Sequence, residues 1–238
     1  MPCNKKNTTC EFSAYGMETM PKCCKNHLIE TIFYTTWLLS LYEIKHWIDY
    51  GTLLGAVREG GFIPWDSDGD FGIMEESKSQ ILQLRQKIKQ DGFHLHISSK
   101  NVLQIVYSKH NWSYVELWSN SLTTANNHKP NKFSDKLPAD YSPINKKPIK
   151  EKTLICESGG PGTRWDHTSD FPYWFVEDTH KVKFEGKYLP SPKVPEHFLD
   201  MRFGNWQDPV RKYEAYFGGN ARSLHESLKY VKNQKYIN

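Results

Sequence analysis

Three aspartates alternate with other residues just ahead of an apolar segment: Asp66, Asp68 and Asp70. In an extended chain, alternate side chains point to the same face, so we expect the three carboxylates to lie together. Carboxylates this close repel one another unless a cation binds between them, and hard oxygen ligands suit Mg²⁺ or Mn²⁺. An EF-hand calcium loop does not fit, because the register that starts at Asp66 requires a glycine and a glutamate where the chain has Phe71 and Ser77. A solvated acidic turn is the alternative to a metal site.

A glycine-containing turn lies upstream of the aspartates. A strand-like segment ends at Gly51, and residues 53–58 read as the first turns of a short helix. Backbone N–H groups at a helix start bind phosphate, Gly51 lets the backbone approach it closely, and Arg58 adds positive charge. We therefore predict a phosphate-binding turn, whose candidate residues are Gly51, Thr52, Leu53, Gly55 and Arg58. An ordinary turn is the alternative.

A single carboxylate, Glu116, interrupts an apolar, strand-like run farther along the chain. A buried carboxylate is costly unless it is paired or bound to a cation, so Glu116 is a candidate third metal ligand or general base. An edge strand with Glu116 facing water is the alternative. Two earlier strand-like runs, at 93–97 and 102–108, are expected to extend the same sheet.

Four of the five cysteines crowd the beginning of the chain: Cys3, Cys10, Cys23 and Cys24. Four thiolates could close one tetrahedral zinc site. In an oxidising compartment, two disulfides, each joining an early cysteine to one of the adjacent pair, are the alternative. The residues alone leave both open. Cys156 stands apart, with no histidine or asparagine pattern that would mark it as a nucleophile.

Composition limits the class of protein. The chain has 238 residues, 38% of them hydrophobic and 14% aromatic, which predicts one folded domain with a substantial core. The net charge of +4, without a basic stripe, suits anionic phosphate substrates and argues against nucleic acid.

The first twenty residues lack the apolar segment of a signal peptide. The apolar run at 28–44 has helical spacing and carries Glu30 and Glu43, so we expect a core helix without a membrane span and a soluble chain.

Several motifs together resemble one family. The sequence Gly-Thr-Leu-Leu-Gly-Ala-Val-Arg at 51–58, Ile-Pro-Trp-Asp at 63–66 and the pair Asp68-x-Asp70 are similar to the signature of the LicD family, a branch of the nucleotidyltransferase-fold superfamily. A predicted hairpin and helix at 182–204 resemble the C-terminal element of its fukutin and fukutin-related branch. The likeness implies an α+β fold, with a nucleotidyltransferase-type mixed β-sheet flanked by helices.

The resemblance also implies a division of the chain and exposes some departures. It predicts a cysteine-rich zinc-binding loop at 1–25 and a catalytic domain at 26–238, and it favours zinc over disulfides. Family members more often carry Asp in place of Glu116, which leaves open whether this residue is a ligand or a base. Ser67 and Gly69 replace residues that are often Asp or bulky and apolar, and a glycine at 69 predicts weaker packing beneath the strand.

The activity that the resemblance implies is a metal-dependent phosphotransferase. It would move a phosphoalcohol from a CDP-activated donor to a glycan hydroxyl and release CMP, with ribitol phosphate favoured and choline or glycerol phosphate possible. Asp68 and Asp70 would bind Mg²⁺ or Mn²⁺, and Glu116 would complete the site or act as the base. Asp66 is a second candidate base or outer ligand, and Arg202, on the predicted C-terminal helix, is a candidate phosphate contact.

Two other functions fit the same residues. The chain could move a nucleoside monophosphate from an NTP, which would release pyrophosphate, or it could be a catalytically weakened glycan-binding module. The resemblance implies the Golgi or another secretory lumen as the compartment. It implies nothing about the oligomeric state.

Overall fold

The computed structural model describes residues 3–7, 20–123, 153–156, 171–203 and 206–207. The helices, in chain order, are α1 (Lys22–Leu41), α2 (Tyr50–Arg58), α3 (Lys78–Gln83), α4 (Arg85–Gln90), α5 (Trp174–Glu177) and α6 (Pro195–Phe203). The strands are β1 (His46–Ile48), β2 (Gly69–Met74), β3 (His94–Ile97), β4 (Leu103–Val106), β5 (Tyr114–Thr123), β6 (Thr153–Cys156), β7 (Phe171–Pro172), β8 (His180–Phe184) and β9 (Lys187–Ser191).

A mixed sheet forms the centre of the fold. Its main path runs β1-β2-β5-β4-β3, and β6 joins the far part of β5 and pairs with β7. Strands β2 and β5 are parallel, whereas the other pairs are antiparallel. The hairpin β8–β9 forms a separate two-stranded sheet. The predicted α+β architecture, a mixed sheet flanked by helices, is confirmed.

The register of the three central strands aligns polar residues on one face of the sheet. Asp70 on β2 lies opposite Glu116 on β5, and Glu116 lies opposite Gln104 on β4. Val115 and Leu117, on either side of Glu116, are fully buried. Because side chains alternate along a strand, Val115 and Leu117 point to the opposite face, and the polar row of Asp70, Glu116 and Gln104 shares the other one.

Helix α1 packs against that opposite, apolar face. A Cβ built on Gly69 would come within 2.9 Å of Ile32 Cγ1 and 3.0 Å of Val115 Cγ2. The glycine therefore makes room for Ile32 of α1, and the strand is not left without packing beneath it. Leu28 and Leu38 of the same helix are also fully buried. In the part of the chain that the structure describes, no helix is long and apolar enough to cross a membrane.

The C-terminal helix lies near the face that carries the polar row. The predicted hairpin is formed by β8 and β9, and the predicted helix is α6. Phe198 of α6 packs edge-on against Phe171, with ring centroids 4.8 Å apart, and Phe171 packs in the same way against Trp47 of β1 at 6.1 Å. Trp47 in turn fills the space beside Gly72 of β2, where a Cβ would meet its indole ring. Helix α6 is thereby anchored beside the strands that carry the aspartates.

Candidate metal centre

Three carboxylates meet where β2 begins and β5 passes beside it. Oxygen atoms of Asp68, Asp70 and Glu116 lie within 4.8 Å of one another. The alternation of side chains along an extended strand, which predicted this cluster, explains it only in part, because β2 starts at Gly69 and Asp68 precedes the strand. Glu116 joins the two aspartates because β5 is the direct parallel neighbour of β2. The donor set consists of hard oxygens at a spacing that one divalent cation can bridge, which fits Mg²⁺ or Mn²⁺.

Asp70 is held by four hydrogen bonds. Its Oδ2 accepts from the backbone N–H of Gly51 at 3.0 Å, and its Oδ1 accepts from Trp118 Nε1 at 3.2 Å. Its own N–H donates to Thr52 Oγ1 at 2.8 Å, and its carbonyl accepts from the N–H of Asp49 at 3.0 Å. Asp70 is only 3% exposed. Its carboxylate therefore has a fixed orientation in the fold.

The first turn of α2 begins earlier than predicted. Asp49 caps the helix, because its Oδ1 accepts from the N–H of Tyr50 at 2.8 Å and its carbonyl accepts from the N–H of Leu53 at 3.0 Å. With the N–H of Gly51 bound to Asp70, three N–H groups of this turn already have protein acceptors. The anion at this helix start is thus the carboxylate of Asp70, which the helix dipole favours as it would favour a phosphate.

Gly51 lets other groups approach the start of α2 closely, and in the structure these groups are carboxylates. A Cβ built on Gly51 would meet Asp66 Oδ2 and would lie 3.2 Å from Asp70 Oδ2. Any larger residue would therefore push these two side chains away from the helix. The same contact places Asp66 next to Asp70, although Asp66 is not among the three residues whose oxygens cluster most tightly.

Two other residues of the predicted phosphate-binding turn lie in the core. Leu53 is fully buried. A Cβ built on Gly55 would come within 2.5 Å of the carbonyl oxygen of Gly61 and 3.2 Å of Ile63, so Gly55 lets α2 pack on the loop that follows it. These contacts give both residues a packing role.

The two arginines that were predicted to bind phosphate each pair with a carboxylate of the protein. Arg58 is the last residue of α2, seven residues after Gly51 and thus about 10 Å along the helix. It pairs with Glu59 at 2.6 Å, and its Nη1 donates to the carbonyl of Trp206 at 3.4 Å. Arg202 is buried and pairs with Asp49 at 2.7 Å. Arg58 therefore lies at the opposite end of α2 from the predicted phosphate turn, whereas Arg202 is buried against the start of α2, beside Asp49 and Tyr50.

Three further residues shape the site and escaped prediction: Asp49, Gln104 and Trp118. Gln104, 6% exposed, donates from Nε2 to Glu116 Oε1 at 2.8 Å. Its signal in the sequence is a polar residue inside an apolar strand, the same signal that marked Glu116. Asp49 carries the signal of an N-cap, an aspartate directly before a helix. Trp118 carries none, because only the strand pairing brings it to Asp70.

Burial and mutual repulsion act on the carboxylates of the site. Burial raises the pKa of Asp70 well above its ordinary value, and the charges of Asp66 and Glu116 raise it further. Burial also raises the pKa of Glu116, against the opposing effect of the hydrogen bond from Gln104. The ionised form of the cluster is therefore destabilised in the protein without a cation, and a bound cation would stabilise it.

The burial of Glu116 predicts how stability depends on pH. Because the pKa of Glu116 is raised in the folded protein, its contribution to stability is present below the ordinary carboxyl pKa of about 4.3 and is lost as the pH rises through the raised value. We expect Glu116→Gln to raise the Tm of the protein in EDTA at pH 8, and the gain to vanish at pH 4. Thermal melts of both proteins across this range check it. A gain that is independent of pH would contradict it.

A second cluster consists of sulfur atoms. The Sγ atoms of Cys3, Cys23 and Cys24 lie within 4.8 Å of one another, and those of Cys23 and Cys24 are 3.9 Å apart. Cys10 and the side chain of Cys156 lie outside the described part of the structure. Cys3 and Cys23 are free thiols, whereas Cys24 takes part in a disulfide with neither of these two. The second disulfide of the predicted alternative, which would have to join Cys3 to Cys23, is therefore not formed.

The cysteine cluster is joined to helix α1 by its own residues and by a hydrogen bond. Burial raises the pKa of Cys3 to about 11, and a hydrogen bond with Cys3 lowers the pKa of Cys23. Cys23 and Cys24 lie in the first turn of α1, and His27 Nε2 of the next turn contacts the carbonyl of Cys3 at 2.8 Å. Residues 22–25 of the predicted loop are thus the first turn of α1.

Comparison with known proteins identifies the domain and some relatives. A family model described as "LicD/FKTN/FKRP, nucleotidyltransferase domain" matches residues 43–194. The chain is 28% identical over 221 residues to "Ribitol 5-phosphate transferase FKRP" of Homo sapiens, and to the protein of that name of Mus musculus, across 85% of this chain and 38% of each relative. It therefore spans about two fifths of the length of these relatives. The "Uncharacterized protein RT0683" of Rickettsia typhi is 48% identical over 58 residues, which are 24% of this chain and 19% of that protein.

A solved structure aligns with most of the chain, but weakly. The lincosamide antibiotic adenylyltransferase LnuA, with lincomycin bound, aligns with 85% of this chain and 95% of its own at 12% identity and a TM-score of 0.38. An alignment with a TM-score this low shows neither the fold nor the function, and the family is shown by the family model that matches residues 43–194. Because that model covers well over half of the sequence, this chain belongs to the LicD/FKTN/FKRP nucleotidyltransferase-domain family.

Proposed function

We propose that this protein is a metal-dependent transferase that moves a phosphoalcohol from a CDP-activated donor to a hydroxyl group of a glycan and releases CMP. The observation that carries the proposal is the carboxylate cluster of Asp68, Asp70 and Glu116 in a domain of the LicD family. Family members more often have Asp at this position, but Glu116 also supplies a third carboxylate to the site. Ribitol phosphate is the favoured group, because the FKRP relatives are named ribitol 5-phosphate transferases.

In this scheme the three carboxylates would hold Mg²⁺ or Mn²⁺ against the pyrophosphate of the donor. The bound cation would neutralise the negative charge that develops on the departing CMP. Asp70 is suited to the ligand role because Gly51 and Trp118 fix both of its oxygens in place. Its hydrogen bonds leave lone pairs on each oxygen, since a carboxylate offers about four acceptor positions.

The proton of the acceptor hydroxyl needs a base near the same carboxylates. Glu116 and Asp66 are the two candidates, and the raised pKa of Glu116 would make it a stronger base than an ordinary carboxylate if it does not bind the cation. The Glu116→Gln variant separates the roles. Loss of Mn²⁺ affinity would identify Glu116 as a ligand and assign the base to Asp66, whereas loss of turnover at unchanged Mn²⁺ affinity would identify Glu116 as the base.

The experiment that tests the function follows CMP release from CDP-ribitol, CDP-choline and CDP-glycerol. Purified protein is incubated with each donor, a mixed glycan acceptor and Mn²⁺ or Mg²⁺, with and without EDTA. Release from one donor that EDTA abolishes would support the proposal and identify the alcohol. Pyrophosphate release from an NTP would support nucleotidyl transfer instead. If folded protein released no CMP from any donor, a glycan-binding module would be favoured.

We also propose that the N-terminal cysteines bind Zn²⁺ when reduced, and that residues 1–25, which include the first turn of α1, form a zinc-binding segment ahead of the catalytic domain at 26–238. Four sulfurs around zinc at about 2.3 Å lie about 3.8 Å apart, which the 3.9 Å between Cys23 and Cys24 matches. Cys3 is the third ligand, and Cys10 is proposed as the fourth. The disulfide at Cys24 excludes zinc, so the two states alternate with the redox environment. A secretory compartment, proposed from the family, would favour the disulfide.

Zinc content decides between these states. Protein purified with a reductant is expected to contain about one zinc per chain by elemental analysis, and Cys23→Ser is expected to lower both the zinc content and the Tm. Thr36→Ser, in the middle of α1, is the control and is expected to retain zinc. A reduced protein without zinc, whose Tm a chelator leaves unchanged, would contradict the proposal.

A further inference from the structure

We propose that Asp49 and Arg202 are a positioning pair, through which helix α6 holds the first turn of α2 and the carboxylate of Asp70 in place. The role of Asp70 as a metal ligand rests on the proposed function, whereas the pair itself is defined by its own contacts. The two residues are far apart in the sequence and lie on different elements, so the pair joins α6 to the start of α2.

The pair is bidentate and lies out of water. Arg202 Nη2 is 2.7 Å from Asp49 Oδ2, and Arg202 Nε donates to Asp49 Oδ1 at 3.2 Å. Their side chains are 1% and 0% exposed. Trp47 Nε1 adds a third donor to Asp49 Oδ2 at 3.3 Å. A planar guanidinium matches both oxygens of a carboxylate at once, which the point charge of a lysine does not.

Aromatic rings surround the guanidinium. Arg202 Cζ lies 4.4 Å from the ring centroid of Tyr50, 4.9 Å from that of Phe198 and 5.0 Å from that of Phe171. These rings belong to α2, α6 and β7. They exclude water from the pair and define one position for the guanidinium. The geometry of Asp49 is therefore set by α6 as well as by its own helix.

Short backbone steps lead from Asp49 to the metal centre. The N–H of Asp49 donates to the carbonyl of Asp70, and Asp49 Oδ1 accepts from the N–H of Tyr50. The next N–H, that of Gly51, donates to Asp70 Oδ2. Asp49 thus orients the turn whose amide holds the carboxylate of Asp70.

The backbone of Tyr50 is held in a conformation that is unfavourable for a tyrosine. Its φ is +38°, in the left-handed region that side chains other than glycine adopt at a cost. The bond to Asp49 Oδ1 and the packing of Arg202 on the tyrosine ring hold it there. Without Arg202 the residue can relax, and the N–H of Gly51 would turn away from Asp70. The pair therefore acts on metal binding through Gly51, without touching the metal or the donor.

Arg202→Lys tests the pair, because it keeps the charge and removes the bidentate contact. We expect hydrogen exchange in the segment 49–58 to become about tenfold faster and the Kd for Mn²⁺, measured without donor, to rise about tenfold, as for other residues that orient metal ligands. Arg85→Lys is the control for the same chemical change at another site: Arg85 is an exposed residue of α4 whose Nη1 donates to the carbonyl of Leu95 at 2.9 Å. It is expected to leave both quantities unchanged.

A double variant covers the case in which Arg202→Lys does not fold. Asp49→Asn with Arg202→Met leaves no buried charge unpaired, and asparagine still caps α2. We expect the same faster exchange and weaker Mn²⁺ binding.

Two outcomes separate this proposal from the proposed function. Unchanged exchange in 49–58, or unchanged Mn²⁺ affinity beside faster exchange, would overturn the positioning role and leave the pair a structural contact. Faster exchange in a protein whose wild-type form binds no Mn²⁺ would instead overturn the metal-binding role of Asp70, and with it the coupling of the pair to a metal.

Discussion

Replacing Asp70 with asparagine is expected to lower transferase activity about a thousandfold, equal to about 4 kcal/mol of transition-state stabilisation. Asp70 is the most deeply buried of the three clustered carboxylates, and both of its oxygens are oriented by hydrogen bonds. Asparagine has the same shape but one neutral oxygen. It would bind a cation weakly and would place an amide N–H₂ against Gly51 or Trp118, whose N–H groups need an acceptor.

The metal-binding part of this prediction is measurable before any donor is known. In the wild-type protein, Mn²⁺ at a hundred times its Kd would add about 2.7 kcal/mol of stability, whereas Asp70→Asn is expected to show almost no rise in Tm. Asp91→Asn is the matched control, because Asp91 accepts from Tyr34 at 2.8 Å at the end of α4 and takes no part in the cluster. An equal rise in Tm in Asp70→Asn and wild type would remove Asp70 from the metal site.

Replacing Gly51 with alanine is expected to lower activity about a hundredfold, by moving ligands without changing their chemistry. The new Cβ would meet Asp66 Oδ2 and crowd Asp70 Oδ2, so both carboxylates would have to shift. Displacement of oriented ligands typically costs metal affinity or activity 10- to 100-fold. Alanine is about 1 kcal/mol better than glycine inside a helix, so the protein is not expected to lose stability through α2 itself.

Gly55→Ala, one turn along the same helix, is the informative contrast. Its Cβ would clash with the backbone of Gly61, far from the carboxylates, so we expect a lower Tm and unchanged Mn²⁺ affinity in the folded protein. Gly51→Ala is expected to show the reverse pattern. Isothermal titration with Mn²⁺ and thermal melts of both variants give the comparison. If both variants lost stability and neither lost affinity, Gly51 would have a packing role only.

Both predictions concern carboxylates that the sequence marks as candidates for a metal site. Asp66, Asp68, Asp70 and Glu116 were identified by residue type and spacing, because a carboxylate inside an apolar strand needs a partner wherever the strand lies. The mixed sheet, the C-terminal hairpin and α6 follow from alternation, from glycine and proline positions and from the family motifs. These signals are local, so they can be read without knowing how distant parts of the chain pack.

The positions of the aspartates show where local reasoning reached its limit. An extended chain would put Asp66, Asp68 and Asp70 on one face, yet β2 begins only at Gly69. The cluster still forms because the parallel pairing of β2 with β5 brings Glu116 beside Asp70. The prediction was confirmed for the α+β architecture, while the roles of these residues stay proposals.

The sequence by itself determined which residues have the chemistry for a metal site and to which family the chain belongs. Only the tertiary structure decided which anion the first turn of α2 binds, and that Arg202 pairs with Asp49 instead of facing solvent. A helix start and an arginine attract any nearby anion, so their partner depends on distance and burial in the folded chain. Those distances are set by how α2, β2 and α6 pack together, across a separation in sequence that no local pattern records.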